Sequence, residues 1–543
     1  MSIVTRKKKV TIFFLFWLVL FVVIWSKMLV REPNGLYAGW VNIWGDWAAH
    51  LSYATSFGYG ENLPPEMPLL IGAKFSYPFF ADLVSGGLMR LGVDMVLAML
   101  VPSLVLSMLL VAGLMFVGEK IVGSLKGGMV TTLLFLFNGG LGFWWWFRDI
   151  KEFGLLEVMK ALPREYTHLE KLANIEWINI ISSQVVPQRG FLMGFPIAVF
   201  IYWLLWKGFE SKRESRKLLV AGLLTSTLPL IHAHSFVLVS WVAFWLVLME
   251  VIKTKKITIQ QVKKWIGFGV PVIILGIPQV LFFYGGSLGS EGFIRWQPGW
   301  MAEGNVLWFW IKNFGGSLIL AIIGMKVAKS KLRKFSLPFW GMFLIANLWI
   351  FQPWEWDNSK VLTHWYLMAC VLGAVTVTSG LKSKQILVKV LVSVGLVLSI
   401  WSGFLDTIRL TQYQNLRLRF FDNKELVLAE WVKKNTRRDS RFLTADNHDH
   451  WVPVLTGRKI VLGFKGWLWT YGLDYSIQEQ AVGKMFEGGD QAKEWMRKYE
   501  VDYVVVGRLE RERKINEEFF EDNFELVYEL GGTKIFQVRN LEY

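Results

Sequence analysis

The amino-acid sequence predicts a polytopic α-helical membrane protein with a soluble α/β domain at its C-terminal end. The chain has 543 residues, of which 53% are hydrophobic and 15% aromatic. Its apolar residues fall in long blocks instead of short amphipathic stripes, which is typical of helices that cross a bilayer. After residue 405 the pattern changes to short strand-like and helical runs in alternation, which is typical of a small α/β domain.

The apolar blocks predict about eleven transmembrane helices, since each block is near the length that a bilayer requires. They lie near residues 10–30, 95–117, 127–147, 190–207, 218–232, 233–252, 265–285, 307–325, 337–352, 361–380 and 386–405. The count depends most on 218–252, because Pro229 interrupts that stretch. We therefore predict a transmembrane domain over 1–405 and a soluble domain over 406–543.

The distribution of Lys and Arg predicts the orientation of the chain. The net charge is +16, and most basic residues form short clusters in every second connection between apolar blocks. These connections are expected to face the cytoplasm, together with the N-terminus. The C-terminal domain and the two long connections, 31–94 and 148–189, then lie on the extracytoplasmic side of the plasma membrane. Because the positive charge follows the topology, we expect no nucleic-acid partner.

Several enzyme classes find no support in the sequence. It contains no GxxxxGK[ST], no GxGxxG after a strand and no HExxH. These patterns mark nucleotide-phosphate binding, dinucleotide binding and zinc-protease chemistry, respectively. The chemistry of this chain is therefore expected to depend on residues of its long connections and of its membrane segments.

The first long connection begins with WGDWAAH at residues 44–50. Asp46 and His50 are four residues apart, so they share one face if the segment is helical. A carboxylate at the membrane surface is suited to take a proton from an attacking hydroxyl. Two alternatives stay open: Asp46 as a helix cap, and His50 as a buried hydrogen-bonding residue instead of a site residue or metal ligand. Glu66 is a candidate sugar-binding residue, or else a solvated loop charge.

Three polar residues lie at the ends of predicted membrane segments. Arg189 precedes the fourth apolar block, where a guanidinium can hold a lipid phosphate through two hydrogen bonds; the alternative is snorkelling to the membrane interface. His232 and His234 lie at membrane depth near Pro229. Ionisable residues at such depth usually face a cavity and mark function, although neighbouring helices could also satisfy both histidines.

The turn FQPWEWDNSK at 351–360 is the most polar of the short connections. Its Asp357, Asn358 and Lys360 are candidate substrate-binding residues, for a cation or for a phosphate leaving group. A turn that neutralises its own charges is the alternative. The candidate metal ligands are Asp46, Glu355 and Asp357, for Mg or Mn, and the requirement for a metal stays open. The stretch DNHDHW at 446–451 also combines acids and histidines, but its spacing matches no zinc pattern.

These features resemble the GT-C superfamily of membrane glycosyltransferases, which use polyprenyl- or dolichyl-linked sugars. Members carry an acidic residue in a first outside loop, and GDWAAH is the local match. In the tail, TGRKIVLGFKGWLWTYGLDY resembles the segment that packs the soluble domain onto the first loop. This resemblance implies that Arg458 and Trp467 face the site. Many members have a paired acidic motif, whereas Asp46 stands alone, which also leaves metal dependence open.

The resemblance implies an inverting glycosyltransferase with Asp46 as general base. Its expected partners are a polyprenyl- or dolichyl-phosphate sugar, membrane lipids and an unidentified acceptor. One alternative is a transporter or lipid flippase that uses His232 and His234; the two halves show no hydropathy repeat, which disfavours it. The other alternative is a non-catalytic envelope assembly protein whose tail binds a partner.

Overall fold

The computed structural model describes residues 3–211, 214–255, 257–285 and 294–538. The helices are α1 (Ile3–Met28), α2 (Val41–Gly58), α3 (Phe80–Arg90), α4 (Met95–Val122), α5 (Leu125–Leu136), α6 (Phe143–Phe153), α7 (Leu155–Lys160), α8 (Glu170–Ala173), α9 (Arg189–Gly208), α10 (Ser215–Thr225), α11 (Ala233–Thr254), α12 (Ile259–Pro271), α13 (Ile277–Tyr284), α14 (Val306–Phe314), α15 (Gly316–Val327), α16 (Ser330–Ala346), α17 (Ser359–Gly380), α18 (Ile386–Arg409), α19 (Tyr413–Leu416), α20 (Asn423–Asn435), α21 (Lys465–Thr470), α22 (Ser476–Glu487), α23 (Asp490–Lys498), α24 (Arg508–Arg511) and α25 (Glu517–Asn523). The strands are β1 (Leu29–Glu32), β2 (Gly35–Ala38), β3 (Arg295–Trp296), β4 (Trp349–Ile350), β5 (Leu418–Asp422), β6 (Arg441–Leu443), β7 (Lys459–Ile460), β8 (Tyr503–Val506), β9 (Glu525–Leu530) and β10 (Thr533–Gln537).

Seven helices in the described part of the chain are long and apolar enough to cross a membrane. They are α1, α4, α9, α11, the continuous stretch Ile259–Tyr284 that contains α12 and α13, the stretch Glu355–Gly380 that contains α17, and α18. Helices α14 and α15 are long and apolar enough only as a pair, and they meet at an angle of 98°. The prediction of a mostly helical membrane protein is confirmed.

The predicted count of eleven spans is not confirmed, because several apolar blocks are shorter or broken as helices. The helices α5, α10 and α16 have 12, 11 and 17 residues, respectively. Helix α5 stops just before Asn138 and two glycines, and α14 is separated from α15 by Gly315 with a positive φ of 53°. Hydropathy averages over such breaks, so it counts apolar blocks and not continuous helices.

The chain folds into two compact units. The first contains the N-terminal helix up to Trp25 with residues 103–281 and 294–415. At its centre lies α17, which is 94% buried over its most apolar stretch and packs against α5, α15, α16 and α18. This burial follows from small residues along α17, among them Ala369, Gly373 and Ala374, which allow close helix approach.

The second unit contains residues 26–102, 282–285 and 416–538. Strands β1 and β2 of the first long connection form an antiparallel sheet with β5 of the tail, in the order β1-β2-β5. A second sheet has the order β7-β6-β8-β10-β9, in which β6 is parallel to β7 and β8. The first long connection and the tail therefore fold together in this unit. The division of the chain into domains at residue 405 stays a prediction.

The segment that the resemblance assigned to docking does contact the first long connection. The amides of Ile460 and Gly463 donate to the carbonyls of Pro68 and Leu69, at 3.0 and 2.7 Å. Leu70 and Leu462 form an antiparallel bridge beside them. Backbone hydrogen bonds thus fix this part of the tail against the loop that follows α2.

Candidate functional site

Asp46 lies within α2 and not at its beginning. The helix starts at Val41, and Trp40 occupies the N-cap position without a side-chain cap. The alternative interpretation of Asp46 as a helix cap is therefore wrong. Asp46 is partly exposed, and a methyl group built on neighbouring Gly45 would meet no atom within 4 Å. The carboxylate of Asp46 is thus partly accessible to solvent, and the backbone of α2 borders open space at Gly45.

Tyr471 is a close electrostatic neighbour of Asp46. Its hydroxyl lies 3.1 Å from the hydroxyl of Tyr53, and its ring lies 4.8 Å from the ring of Tyr77. Burial raises the pKa of Tyr471 well above its ordinary value, and the interactions with Tyr53, Asp46 and Asp82 add to this shift. The phenol therefore keeps its proton at neutral pH, so it can donate a hydrogen bond to an oxygen in the site.

His50 is buried on the same helix and is paired with an acid that the sequence pattern did not reveal. Its Nδ1 lies 2.8 Å from Oδ2 of Asp82 on α3, and the two side chains are 3% and 0% exposed. Aromatic contacts with Tyr53 and Tyr77 enclose the imidazole. These contacts favour His50 as a buried hydrogen-bonding residue that supports α2. No local spacing could have identified Asp82, which lies 32 residues further along the chain.

Trp467 belongs to an aromatic cluster that reaches the start of α2. Its ring lies 5.3 Å from that of Phe464 and 6.2 Å from that of His448. His448 in turn contacts Trp44 edge-on at 4.2 Å, two residues before Asp46. Burial lowers the pKa of His448, so its imidazole is neutral at pH 7. Trp467 therefore lies in an aromatic cluster that contacts the WGDWAAH segment, while its place in the site and its role in binding stay predictions.

Arg458 and Glu66 are placed differently from Trp467. Arg458 is 1% exposed, and its guanidinium donates to backbone carbonyls of Tyr59, Thr456 and Lys433. These bonds give Arg458 a structural task, namely to join the end of α2 to the tail. Glu66 is half-exposed and forms an ion pair with Lys459. Neither contact reveals a sugar-binding role.

The acids and histidines at 446–450 are used in separate interactions. Asp446 pairs with Arg513 and Lys465, while the buried His450 pairs with Glu510 at 2.9 Å. In the residues that the structure describes, no group of three or more His, Cys, Asp or Glu side chains is arranged to hold a metal ion. The requirement for a metal, which the sequence leaves open, is not tested by this arrangement.

Arg189 is the first residue of α9 and lies inside the first unit. It is 2% exposed, and its Nη1 donates to Oγ of Ser103 at 3.0 Å. The alternative of snorkelling to the membrane interface is wrong, because a snorkelling guanidinium would be solvated. A phosphate held by Arg189 would have to enter the helix bundle.

His232 and His234 are engaged in two different hydrogen bonds. Nδ1 of His232 lies 2.7 Å from Oγ of Ser235, and this hydroxyl lies 3.2 Å from Nε2 of His364. Nδ1 of His364 lies 2.6 Å from the hydroxyl of Tyr202, which completes a buried chain of polar groups.

His234 instead accepts from the side-chain amide of Gln352 at 2.8 Å. The 3-10 turn Leu228–Leu230 and the extended backbone at His232 interrupt the helix before α11, as Pro229 predicts. Because the chain is unwound here, His232 and His234 bind different partners, although the two imidazole rings lie only 5.3 Å apart.

The polar turn before α17 is a 3-10 helix over Glu355–Asn358. Lys360 lies 3.1 Å from Oδ1 of Asp357 and within electrostatic range of His232 and His234. Glu355 pairs with Arg295 at 3.2 Å, so the two acids of the turn have separate basic partners. Asn358 is buried and holds the turn through the amide of Phe351 and the carbonyls of Ala346 and Trp349.

The structure thus gathers the predicted residues into two groups. The group in the second unit combines two residues of α2, Asp46 and His50, with two residues of the tail, Trp467 and Tyr471. In the first unit, His232, His234 and Lys360 share one polar region with Asp357. The tyrosines at 53, 77, 202 and 471, with Asp82 and His364, were missed because their partners are distant in sequence.

Comparison with solved structures identifies the fold. ArnT from Cupriavidus metallidurans in the apo state superposes with a TM-score of 0.51 at 10% identity, over 98% of either chain. The Archaeoglobus fulgidus oligosaccharyltransferase, tethered with an acceptor peptide that contains the NVT sequon, gives a TM-score of 0.45 at 11% identity, over 96% of this chain and 74% of that one. Its apo form gives 0.47 at 10% identity, over 91% and 69%.

At 10% identity the match with ArnT shows a shared fold. ArnT is a GT-C protein, so the match with it confirms the predicted resemblance to GT-C proteins at the level of the fold. No protein-family model matches the chain, and no curated protein matches it.

Proposed function

We propose that this protein is an inverting membrane glycosyltransferase that uses a polyprenyl- or dolichyl-phosphate sugar, with Asp46 as the general base. One observation carries the proposal: Asp46 is a partly exposed carboxylate on α2, with the protonated hydroxyl of Tyr471 in its electrostatic range. The GT-C fold supports the class of reaction.

In the proposed reaction, Asp46 takes the proton of an acceptor hydroxyl. The acceptor oxygen attacks the anomeric carbon from the side opposite to the phosphate, so the configuration at that carbon inverts. Such proton transfer contributes about 100-fold to 10,000-fold in rate. Tyr471 donates a hydrogen bond to an oxygen in this site, and the His50–Asp82 pair keeps this face of α2 in place.

Lys360 is the proposed cation for the leaving phosphate, and Arg189 is the second candidate. Negative charge on the phosphate grows as its bond to the sugar breaks, so a positive side chain stabilises the transition state more than the ground state. The Asp357 carboxylate orients the Lys360 ammonium. His234 and its Gln352 partner supply further hydrogen-bonding groups to the same polar region.

In this proposal, sugar transfer takes place on the extracytoplasmic side of the membrane. The distribution of Lys and Arg in the sequence supports this orientation. It also includes a divalent cation, Mg or Mn, as a testable option with Asp46, Glu355 or Asp357 as ligands. The structure gives Glu355 and Asp357 basic partners, and a metal would have to compete with these.

The test is a transfer assay with purified protein in lipid nanodiscs. Radiolabelled polyprenyl-phosphate sugars are supplied with a membrane and envelope extract as acceptor, with and without EDTA. Wild type should transfer label, whereas Asp46→Asn should lose at least about 100-fold. Glu61→Gln removes an exposed acid of the same long connection and serves as the matched control. Full transfer by folded Asp46→Asn protein would contradict the assignment of the base.

A second candidate function is transport, and the buried chain from His232 through Ser235 and His364 to Tyr202 favours it. Polar chains at membrane depth are typical of proton relays. In proteoliposomes, a transporter would move a labelled lipid or solute, and His364→Gln would stop this movement. If His364→Gln keeps more than half of the wild-type rate of sugar transfer, the buried polar groups from His232 to Tyr202 have only a structural role.

A further inference from the structure

A narrow groove lies within the first unit, between the end of α11 and the beginning of α12. Helix α11 and the stretch Ile259–Tyr284, which α12 begins, are each long and apolar enough to cross a membrane. The volume of the groove is about 230 Å³, and five of its seven lining residues are apolar: Val247, Val251, Ile257, Val262 and Trp265. Pockets for whole small molecules begin at roughly 300 Å³. The groove therefore suits one part of a flexible apolar chain.

A buried ion pair holds the two walls of the groove together. Glu250 on α11 and Lys264 on α12 lie 2.7 Å apart, and their side chains are 8% and 5% exposed. The indole nitrogen of Trp265 donates to the same carboxylate at 2.9 Å. The side-chain amide of Gln261 donates to the backbone carbonyl of Glu250 at 3.3 Å. Because the protein itself uses these polar atoms, the groove offers mainly apolar surface and has fixed walls.

The rim of the groove is exposed and apolar. Ile257 and Val262 line the groove and are 68% and 42% exposed. Ile252, Ile259 and Ile266, on the same two helices, are each more than half exposed. Apolar side chains on spanning helices face the hydrocarbon of the bilayer, where their exposure costs nothing. The groove therefore opens toward lipid.

Two lysines beside the groove have no acidic partner among the residues that the structure describes. Lys255 follows the last residue of α11, and Lys263 follows Val262 on α12; both are exposed. Lys253 differs from them, because it pairs with Glu210 at 3.0 Å. The distribution of Lys and Arg in the sequence predicts that this connection faces the cytoplasm. Exposed lysines at that surface attract the anionic headgroups of lipids.

Lys255 adopts a backbone conformation that favours glycine. Its φ is 55°, in the left-handed region, and its amide donates to the carbonyl of Ile252. Glycine is the usual residue at this position after a helix, because a side chain there is strained. A lysine that occupies this position despite the strain indicates a use for its charge.

We propose that the groove binds one acyl chain of an anionic phospholipid, whose phosphate is held by Lys255 and Lys263. This binding site is separate from sugar transfer and does not depend on it. The groove by itself would accept the chain of any lipid, and the two lysines by themselves would accept any anion. Together they select a lipid with an anionic headgroup. The bound lipid contacts both helices and therefore stabilises their junction.

The first test is native mass spectrometry of the purified full-length protein in detergent, titrated separately with phosphatidylglycerol and phosphatidylcholine. Wild type should bind one phosphatidylglycerol about 30-fold more tightly than phosphatidylcholine, since each lysine contributes about fivefold. Lys255→Gly combined with Lys263→Gln should remove this preference and leave binding of phosphatidylcholine unchanged. Lys382→Gln combined with Lys384→Gln removes the same charge from another exposed basic connection and should behave like wild type.

Equal affinity of wild type for the two lipids would overturn the choice of an anionic lipid. An equal loss in the Lys382→Gln, Lys384→Gln control would reduce the preference to a general effect of charge and would also overturn the site. Glycerol phosphate, which has no acyl chain, should not compete with phosphatidylglycerol. Competition at equal concentration would show a site for free phosphate instead.

Val251→Trp tests the groove, because the larger side chain fills it. Binding of phosphatidylglycerol should fall at least about tenfold, which corresponds to the loss of about two buried methylene groups. Ile252→Trp places the same ring on the next residue, which does not line the groove, and should bind like wild type. Unchanged binding by Val251→Trp would overturn the groove as the site of the acyl chain.

Thermal unfolding separates these effects from misfolding. Without lipid, Lys255→Gly should keep at least the wild-type melting temperature, because glycine suits the left-handed conformation. Phosphatidylglycerol should raise the melting temperature of wild type and not that of Lys255→Gly combined with Lys263→Gln. A Lys255→Gly protein that melts earlier but binds the lipid like wild type would assign the lysine to the carboxyl end of α11 and would overturn the proposal.

Discussion

His50 Nδ1 and Asp82 Oδ2 lie 2.8 Å apart, and both side chains are buried. The pair joins α2 to α3 one helical turn beyond Asp46. Both groups are enclosed by other atoms, so if one partner is removed, the other cannot form a replacement hydrogen bond with water. The orientation of α2, and with it the direction of Asp46, therefore depends on Asp82.

Asp82→Ala should destabilise the protein by about 3 kcal/mol, because it leaves His50 buried and unpaired. Thermal unfolding in nanodiscs measures the effect. Glu512→Gln breaks the exposed pair with Arg508 and is the control, with an expected change below about 0.5 kcal/mol. Equal melting temperatures for the two variants would show that the His50–Asp82 pair does not support the fold.

Tyr471→Phe should lower sugar transfer about fivefold, because it removes a hydroxyl near Asp46 and one hydrogen bond is worth roughly 1 kcal/mol. Tyr53→Phe is the matched variant, since it loses the same Tyr53–Tyr471 hydrogen bond but keeps the hydroxyl of Tyr471. The measurement is kcat for both proteins at equal stability. If Tyr53→Phe reduces kcat as much as Tyr471→Phe, the hydroxyl of Tyr471 has only a structural role.

Lys360→Gln should reduce kcat/KM for a phosphate-linked donor by about 100-fold, since a positive charge near a developing oxyanion contributes several kcal/mol. Asp357→Asn should have a smaller effect, because Lys360 keeps its charge and loses only an orienting partner. Lys331→Gln, which removes a lysine that lies over the ring of Trp206, is the control. A loss with Lys331→Gln of the same size would indicate a general effect of charge.

The buried carboxyl group of Glu510 should make the tail less stable at acidic pH. Burial alone would raise its pKa, but hydrogen bonds from His450 and from the amides of Ala445 and Gly507 outweigh burial, so the pKa of Glu510 is lowered. A lowered pKa contributes stability that is present above the unfolded-state pKa, about 4.3, and is lost as pH falls through the folded-state value.

Hydrogen exchange of residues 441–460 measures this dependence. Protection in wild type should be constant from about pH 7 to about 5 and should fall below about pH 4, after correction for intrinsic exchange. Glu510→Gln should start from lower protection and show a weaker decline. A decline of equal steepness in both proteins would assign the acid sensitivity to other carboxylates.

Some site residues could be predicted from the sequence because their signal is local. Asp46 and His50 are four apart on a helix that the structure confirms. His232 and His234 follow Pro229, and the chain is unwound there. Other expectations needed the fold: Arg189 is buried and not snorkelling, Arg458 is used by backbone carbonyls, and the groove between α11 and α12 was not recognised at all.

The sequence by itself determined that the chain forms membrane-spanning helices and that its fold resembles GT-C proteins, because hydropathy and short motifs are properties of neighbouring residues. Only the tertiary structure decided which residues meet: Asp82 with His50, Tyr471 with Tyr53 across 418 positions, and Glu250 with Lys264. It also decided where apolar blocks break into separate helices. The physical reason is that partner choice depends on packing between distant elements, which the local pattern of polar and apolar residues does not encode.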